Sequence, residues 1–315
     1  MPYTLSGAFE AMITVMGSFV ADLAFRTGKL PAWGETYMGS SFRLGPGGKG
    51  SNQAVAAARA GGKVRFIGKV GADAFGELAR SIYREERIDA QYLLTSTNPT
   101  GAAAIILDEQ TGENAIIVVP GACLDLAPAE IAGMQTAIAS SAVFITQLEL
   151  ALPTVECGLK LAYEAGVTTV LNPAPGSKLP ERIFPCCDYV TPNESETEAL
   201  TGIRVRSAAD AERAADAFLA LGVRNAVITL GAQGVFVKNS STCRHISAFN
   251  AGQVVETTGA GDAFNGGFAV ALAEGADLVD AARFGCAVAG LSVTRPGTAP
   301  SMPHRNEIDS LLQSQ

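Results

Sequence analysis

Short runs of β-branched and apolar residues alternate along this chain with alanine-rich stretches of helical spacing, and that alternation restricts the fold more than any other feature. The runs fall at Met12 to Phe19, Val64 to Val70, Ala142 to Gln147, Thr168 to Leu171, Tyr189 to Thr191 and Ala226 to Leu230. Between them lie Asn52 to Ala60, Phe75 to Glu86, Thr154 to Ala165 and Ala208 to Leu221. Strand following helix in this way predicts an α/β fold with a doubly wound, mostly parallel sheet flanked by helices. Two stretches break the rhythm. Residues 35–44 and 101–119 read as strands with no helix between strand and return, and Asp108 to Glu113 reads as a turn. They predict a small antiparallel β lid inserted into one main domain spanning residues 1–315, or an edge extension of the main sheet.

Composition narrows the partners. The 315 residues are 48% apolar and 17% charged, which suits a compact globular chain with a substantial core. A net charge of −8 disfavours nucleic acid and anionic membrane surfaces, but leaves room for a small anionic ligand held by local N–H groups. No secretory leader is expected, because Glu10 precedes the first apolar stretch where a basic region would stand, and no run reads as a membrane span. Six cysteines without C-x-x-C spacing predict reduced thiols and a cytoplasmic protein. Two histidines, His245 and His304, offer little for a hydrolase triad or a zinc site.

The chemistry concentrates in two glycine-rich loops that each open a helix. Thr257-Thr258-Gly259-Ala260-Gly261-Asp262 sets three small residues before an acid. Free N–H groups at a helix start, with the positive end of the helix dipole, favour an anion. A carboxylate beside bound phosphate makes sense if Asp262 faces a second reactant and takes its proton. The same spelling also builds a plain strand-to-helix connection with Asp as cap. The second loop runs from Gly45 to Ala54, and its Lys49 and Asn52 can bond sugar hydroxyls. Neither G-x-x-x-x-G-K-[ST] nor a G-x-G-x-x-G after the first strand is present, so neither a P-loop nor a dinucleotide fold is indicated.

Together the loops resemble those of the ribokinase-like (PfkB) carbohydrate kinase family, closest to its ribokinases. Gly47 to Val55, Gln147-Leu148-Glu149, Asn172-Pro173-Ala174-Pro175, Thr191 to Glu196, Thr229 to Gly234 and Thr258 to Asp262 carry the resemblance over nearly the whole chain. It implies an ATP-dependent, Mg²⁺-requiring kinase acting on the primary hydroxyl of a pentose, D-ribose to D-ribose 5-phosphate first, 2-deoxyribose second, and a non-catalytic sugar-binding protein as the reading from another class. It implies Asp262 as catalytic base and Gly259, Ala260 and Gly261 as the anion hole. Asp22, placed at the end of the first strand, joins Gly48, Lys49, Asn52 and Glu149 in the sugar site. Asn193 and Glu196 would organise Mg²⁺ largely through water, and Thr229, Gly231 and Gly234 would lie against the nucleotide. Glu256, Thr258, Ser292, Gly297 and Ser301 match a monovalent cation (K⁺) site, and a homodimer through the lid is implied. The chain departs from the ribokinases at Val20, where they carry Asn, and at Glu256, where they carry Asp.

Overall fold

The computed structural model describes residues 11–111 and 113–314; Glu10 and Gly112, which entered the leader and turn expectations, lie outside them. The chain starts with β1 (Met12–Met16), leaves for β2 (Val20–Thr27) and β3 (Ser41–Gly47), and returns through α1 (Lys49–Arg59) to β4 (Lys63–Gly71). Helix α2 (Ala74–Glu85) leads to β5 (Asp89–Ser96), after which β6 (Thr100–Asp108) and β7 (Asn114–Gly121) go out again. Two short helices, α3 (Pro128–Ala132) and α4 (Gln135–Ala139), precede β8 (Val143–Thr146), α5 (Leu152–Glu164), β9 (Thr168–Leu171) and β10 (Tyr189–Val190). Then come α6 (Glu194–Thr201), α7 (Ala208–Ala220), β11 (Asn225–Thr229), β12 (Val235–Lys238) and β13 (Cys243–Ile246). The last helices are α8 (Ala260–Ala273), α9 (Leu278–Ser292) and α10 (Arg305–Ser314).

The main sheet has nine strands in the order β13-β12-β11-β10-β9-β8-β1-β4-β5. From β5 to β11 neighbours are parallel, while β12 and β13 turn back antiparallel at one edge. Both faces are covered, and the side chains divide by the strand period of two. Ile13, Val15, Val64, Phe66, Val143, Ile145 and Val227 enter one core with α1, α8 and α9, whereas Met16, Ile67, Phe144, Leu171 and Ile228 enter the other with α5 and α7. This explains why the runs read as continuously apolar and not alternating. The order of winding reverses between β1 and β8, and the crevice beyond the carboxyl ends of such a pair is where an open α/β sheet holds a ligand.

A second sheet of four strands has the order β3-β2-β6-β7. It corrects the sequence reading in three ways. Strand β2 lies at its centre, so Asp22 belongs to this sheet and not to the end of the first strand. Pairing is antiparallel at its flanks but parallel between β2 and β6, because a long excursion through the main sheet separates those two strands. Regular pairing of the 35–44 stretch begins only at Ser41; before it, Glu35 is spent on Lys29 and on the Ala32 N–H at 3.0 Å, which hold an irregular loop. The break after β1 has a steric origin: a Cβ on Gly50 would sit 2.6 Å from the Gly17 Cα, so α1 presses against the turn that sends the chain from the main sheet into the small one. Strands β5, β12 and β13 were not anticipated; β5 carries Asp89, Gln91 and Thr95 among its apolar residues, and β13 is largely exposed. No helix among the described residues is long and apolar enough to cross a membrane.

Candidate functional site

Two helix starts converge at the β1/β8 crevice. Helix α1 begins behind Gly48, whose φ of +85° is left-handed; a Cβ there would lie 2.8 Å from the Val20 nitrogen and 2.9 Å from the Ser18 carbonyl. Helix α8 begins behind Gly259, also at φ +85°. The two helices cross closely because Gly266 lies against α1, where a Cβ would come 2.7 Å from the Gln53 carbonyl. The crossing brings side chains of α1 onto the first turn of α8.

Asp262 is the meeting point. It is 6% exposed, its Oδ2 accepts from Asn52 Nδ2 at 3.0 Å and its Oδ1 accepts from Gln53 Nε2 at 3.0 Å. Gln53 is itself fixed, donating to Asn172 Oδ1 at 3.1 Å and accepting from Gln147 Nε2 at 2.6 Å. Each carboxylate oxygen thus receives one neutral amide, which aims the group. In the same turn Asn265 donates to the Gly261 carbonyl at 2.8 Å and accepts from the Thr191 hydroxyl at 2.6 Å.

Lys49 and three carboxylates surround this point. Burial lowers the proton affinity of the Lys49 ammonium, but Asp262, Glu149 and Glu196 outweigh it and the net shift is upward, so Lys49 is a fixed cation. Glu149 accepts the Lys49 backbone N–H at 2.8 Å and the Ser18 hydroxyl, both on Oε2. That oxygen caps α1 from across the crevice. Asn193 caps α6 and accepts from the Glu196 N–H at 2.8 Å, while Glu196 Oε2 accepts the Asn193 N–H at 2.9 Å. Burial pushes the Glu196 carboxyl up; the Asn193 N–H and Lys49 oppose this, and Asp262 adds to it.

Asp22 stands on the small-sheet side. Burial pushes its carboxyl up to about 6, against the Thr298 hydroxyl, with Glu149 and Asp262 adding to the rise and Arg43 opposing it. Thr298 Oγ1 lies 3.4 Å from Asp22 but 3.1 Å from the Pro46 carbonyl, and its single proton serves the nearer acceptor better. Asp22 therefore has little to hold its charge from within the protein.

A polar pocket of about 160 Å³ joins Lys49, Asn193, Glu196, Gly259, Gly261 and Asp262. A cleft of about 570 Å³ continues from it past Thr229, Gly231 and Gly234 to apolar walls at Phe249, Phe264 and Val293. Thr229, Asn193 and Gly261 border both. Side chains added at Gly261 or Gly231 would meet nothing within 4 Å, so both glycines front open space. An apolar slot leading to a helix start with bare glycines fits a nucleotide with its phosphates toward Gly259. Glu196 and Asn193 beside that path fit a Mg²⁺ that keeps most of its water. The predicted cation residues assemble separately, under the start of α8: Glu256 Oε2 accepts the Gly297 N–H at 2.7 Å, and the Ser292 and Ser301 hydroxyls donate to the Ala289 and Thr298 carbonyls at 2.8 and 2.7 Å. No bond to Thr258 joins this group.

The model of the pfkB family of carbohydrate kinases matches residues 10–305. This chain belongs to that family. The pfkB kinase is 39% identical over 301 residues to the ribokinase of Haemophilus influenzae, covering 96% of this chain and 98% of that one. It is 33% identical over 301 residues to the deoxyribokinase of Salmonella typhi, covering 95% and 98%. The structure of Arabidopsis thaliana ribokinase complexed with ribose and ATP superposes with a TM-score of 0.91 at 30% identity, covering 97% of this chain and 99% of that one. The pfkB kinase is an ATP-dependent sugar phosphotransferase.

Sequence reading gave no role to Gln53, Gln147, Asn172, Thr298 or Arg43. The first three stood inside the motif segments as amides on otherwise apolar elements, and a buried amide with no local partner is the signal that would have exposed them. Carboxyl-detected NMR is expected to place the Asp22 midpoint near pH 6, above its ordinary 3.8. Glu149→Gln should lower that midpoint, and a wild-type midpoint in the ordinary range would contradict the geometry. By linkage, keeping Asp22 protonated favours the fold below pH 3.8, and that contribution fades as pH rises through about 6.

Proposed function

We propose that this kinase transfers the γ-phosphoryl group of ATP to the primary hydroxyl of a pentose, D-ribose giving D-ribose 5-phosphate. The observation that carries this reading is Asp262, held by two amides in the first turn of the helix whose glycine start faces the cleft. Asp262 takes the proton of the attacking hydroxyl as its oxygen bonds the γ-phosphorus and the bond to the ADP oxygen breaks. Of the predicted anion hole, the Gly259 and Gly261 N–H groups receive the charge on the transferring group, while the Ala260 N–H donates to the Thr257 carbonyl at 3.1 Å and holds the turn. Lys49, a fixed cation beside Asp262, serves the same crowded negative region. Mg²⁺ held through water by Glu196 and Asn193 would supply charge neutralisation at the phosphates. Thr229, Gly231 and Gly234 border the nucleotide cleft, while Asp22, Gly48, Asn52 and Glu149 frame the sugar. Asp22 suits that work because an acid poorly satisfied from within accepts readily from two adjacent hydroxyls. An ATP-using enzyme with six free thiols belongs in the cytoplasm.

Asp262→Asn should lower turnover by about 10²- to 10⁴-fold, with a much smaller change in the KM for sugar, in a coupled ADP-release assay. Wild-type turnover in that variant would sink the reading.

Val20 favours 2-deoxyribose as a second substrate. It is 4% exposed, shares the β2 face with Asp22 by the strand period, and lies outside both apolar cores. A hydroxyl turned toward it would lose water and gain no partner. Val20→Asn should raise kcat/KM for ribose over 2-deoxyribose by about tenfold, the value of one hydrogen bond. An unchanged ratio would remove Val20 from sugar selection.

The small sheet also supports a homodimer. Edge strand β7 carries Ile116, Ile117, Val118 and Val119 at 48 to 67% exposure, an apolar row that an edge strand rarely leaves bare. Light scattering should give twice the chain mass, and Ile117→Lys should shift it to the monomer; a wild-type monomer at assay concentration would contradict the pairing.

A further inference from the structure

The five residues that resemble a monovalent-cation site do not fit one here. Glu256 is their single carboxylate, and its Oε2 is taken by the Gly297 N–H at 2.7 Å. The Ser292 carbonyl accepts the Arg295 N–H at 3.2 Å, and both serine hydroxyls point their protons at carbonyls of their own turns. An ion of this kind is held when several oxygens together replace its water, and here Glu256 Oε2 and the Ser292 carbonyl each already accept a hydrogen bond from the loop itself.

A positive charge is already at the turn. A Cβ built on Gly297 would sit 3.4 Å from both Nη1 and Nη2 of Arg43, so the guanidinium lies against that glycine. Arg43 comes from β3 of the small sheet, and its guanidinium makes no hydrogen bond or ion pair with any described residue. Its charge reaches Asp22. The next residue, Thr298, touches the start of α8: its Cα lies 3.3 Å from where a Gly259 Cβ would be. A second cation in this turn would be repelled by the first and would find Glu256 engaged.

We propose that this kinase works without a monovalent cation, and that Arg43, brought by the small sheet, is the positioning residue whose charge steadies the turn behind Gly259. Only the kinetic arm of its test rests on the kinase reading above. Turnover with Mg-ATP and ribose is measured in potassium, sodium and choline chlorides at equal ionic strength, and thermal unfolding is followed in the same salts. The expected wild-type rates agree within about twofold, and the melting temperature does not distinguish potassium from choline. Arg43→Ala, an exposed site whose loss leaves the fold intact, should lose turnover in choline and recover part of it in potassium; Arg43→Lys should keep the wild-type pattern. A several-fold potassium-specific gain in wild-type rate, a potassium-specific rise in its melting temperature, or an Arg43→Ala enzyme as fast as wild type in choline would each overturn the proposal. If the wild type phosphorylates no sugar in any salt, the kinase reading fails, and the melting data alone decide the question of the cation.

Discussion

The site depends on the close crossing of α1 and α8. A side chain at Gly266 would force the helices apart, and with them the amides of Asn52 and Gln53 from Asp262. That crossing is what turns an acid in the first turn of a helix into an aimed carboxylate. It also sets two helix starts, each behind a left-handed glycine, toward one crevice; the first N–H of α1 is taken by Glu149, and the bare glycine start of α8 is the one suited to phosphate.

Around this point the protein collects charge at a cost in stability. Glu149, Glu196 and Asp262 converge on Lys49, Asp22 adds a fourth acid beside Glu149 and Asp262, and burial makes ionisation harder for Asp22 and Glu196. A fold selected for stability alone would gain by replacing such a cluster with apolar side chains. Two of the acids are also structural: Glu149 caps α1 and Glu196 caps α6.

Much of this was legible beforehand. The α/β class follows from the pattern of runs, and the two loops announce themselves because glycines followed by an acid or a lysine at a helix start are a local arrangement. The placement of Asp22 was not legible. Met12 to Phe19 read as the first strand with Asp22 at its end, and only the contact of Gly17 with Gly50 shows why the chain breaks there and enters a different sheet. Nor could the sequence show that Glu256 turns its carboxylate onto Gly297, since the two residues stand 41 positions apart in the chain.

The amino-acid order alone determined the alternation of strands and helices that sets the α/β class, which two glycine loops open a helix, and that the chain resembles a sugar kinase. These are short-range matters of periodicity, backbone freedom and capping. The tertiary structure decided which amides hold Asp262, which sheet owns Asp22, and that Arg43 lies against Gly297. Each of those is a contact between residues far apart in sequence, fixed by how helices and sheets pack and invisible to any local pattern.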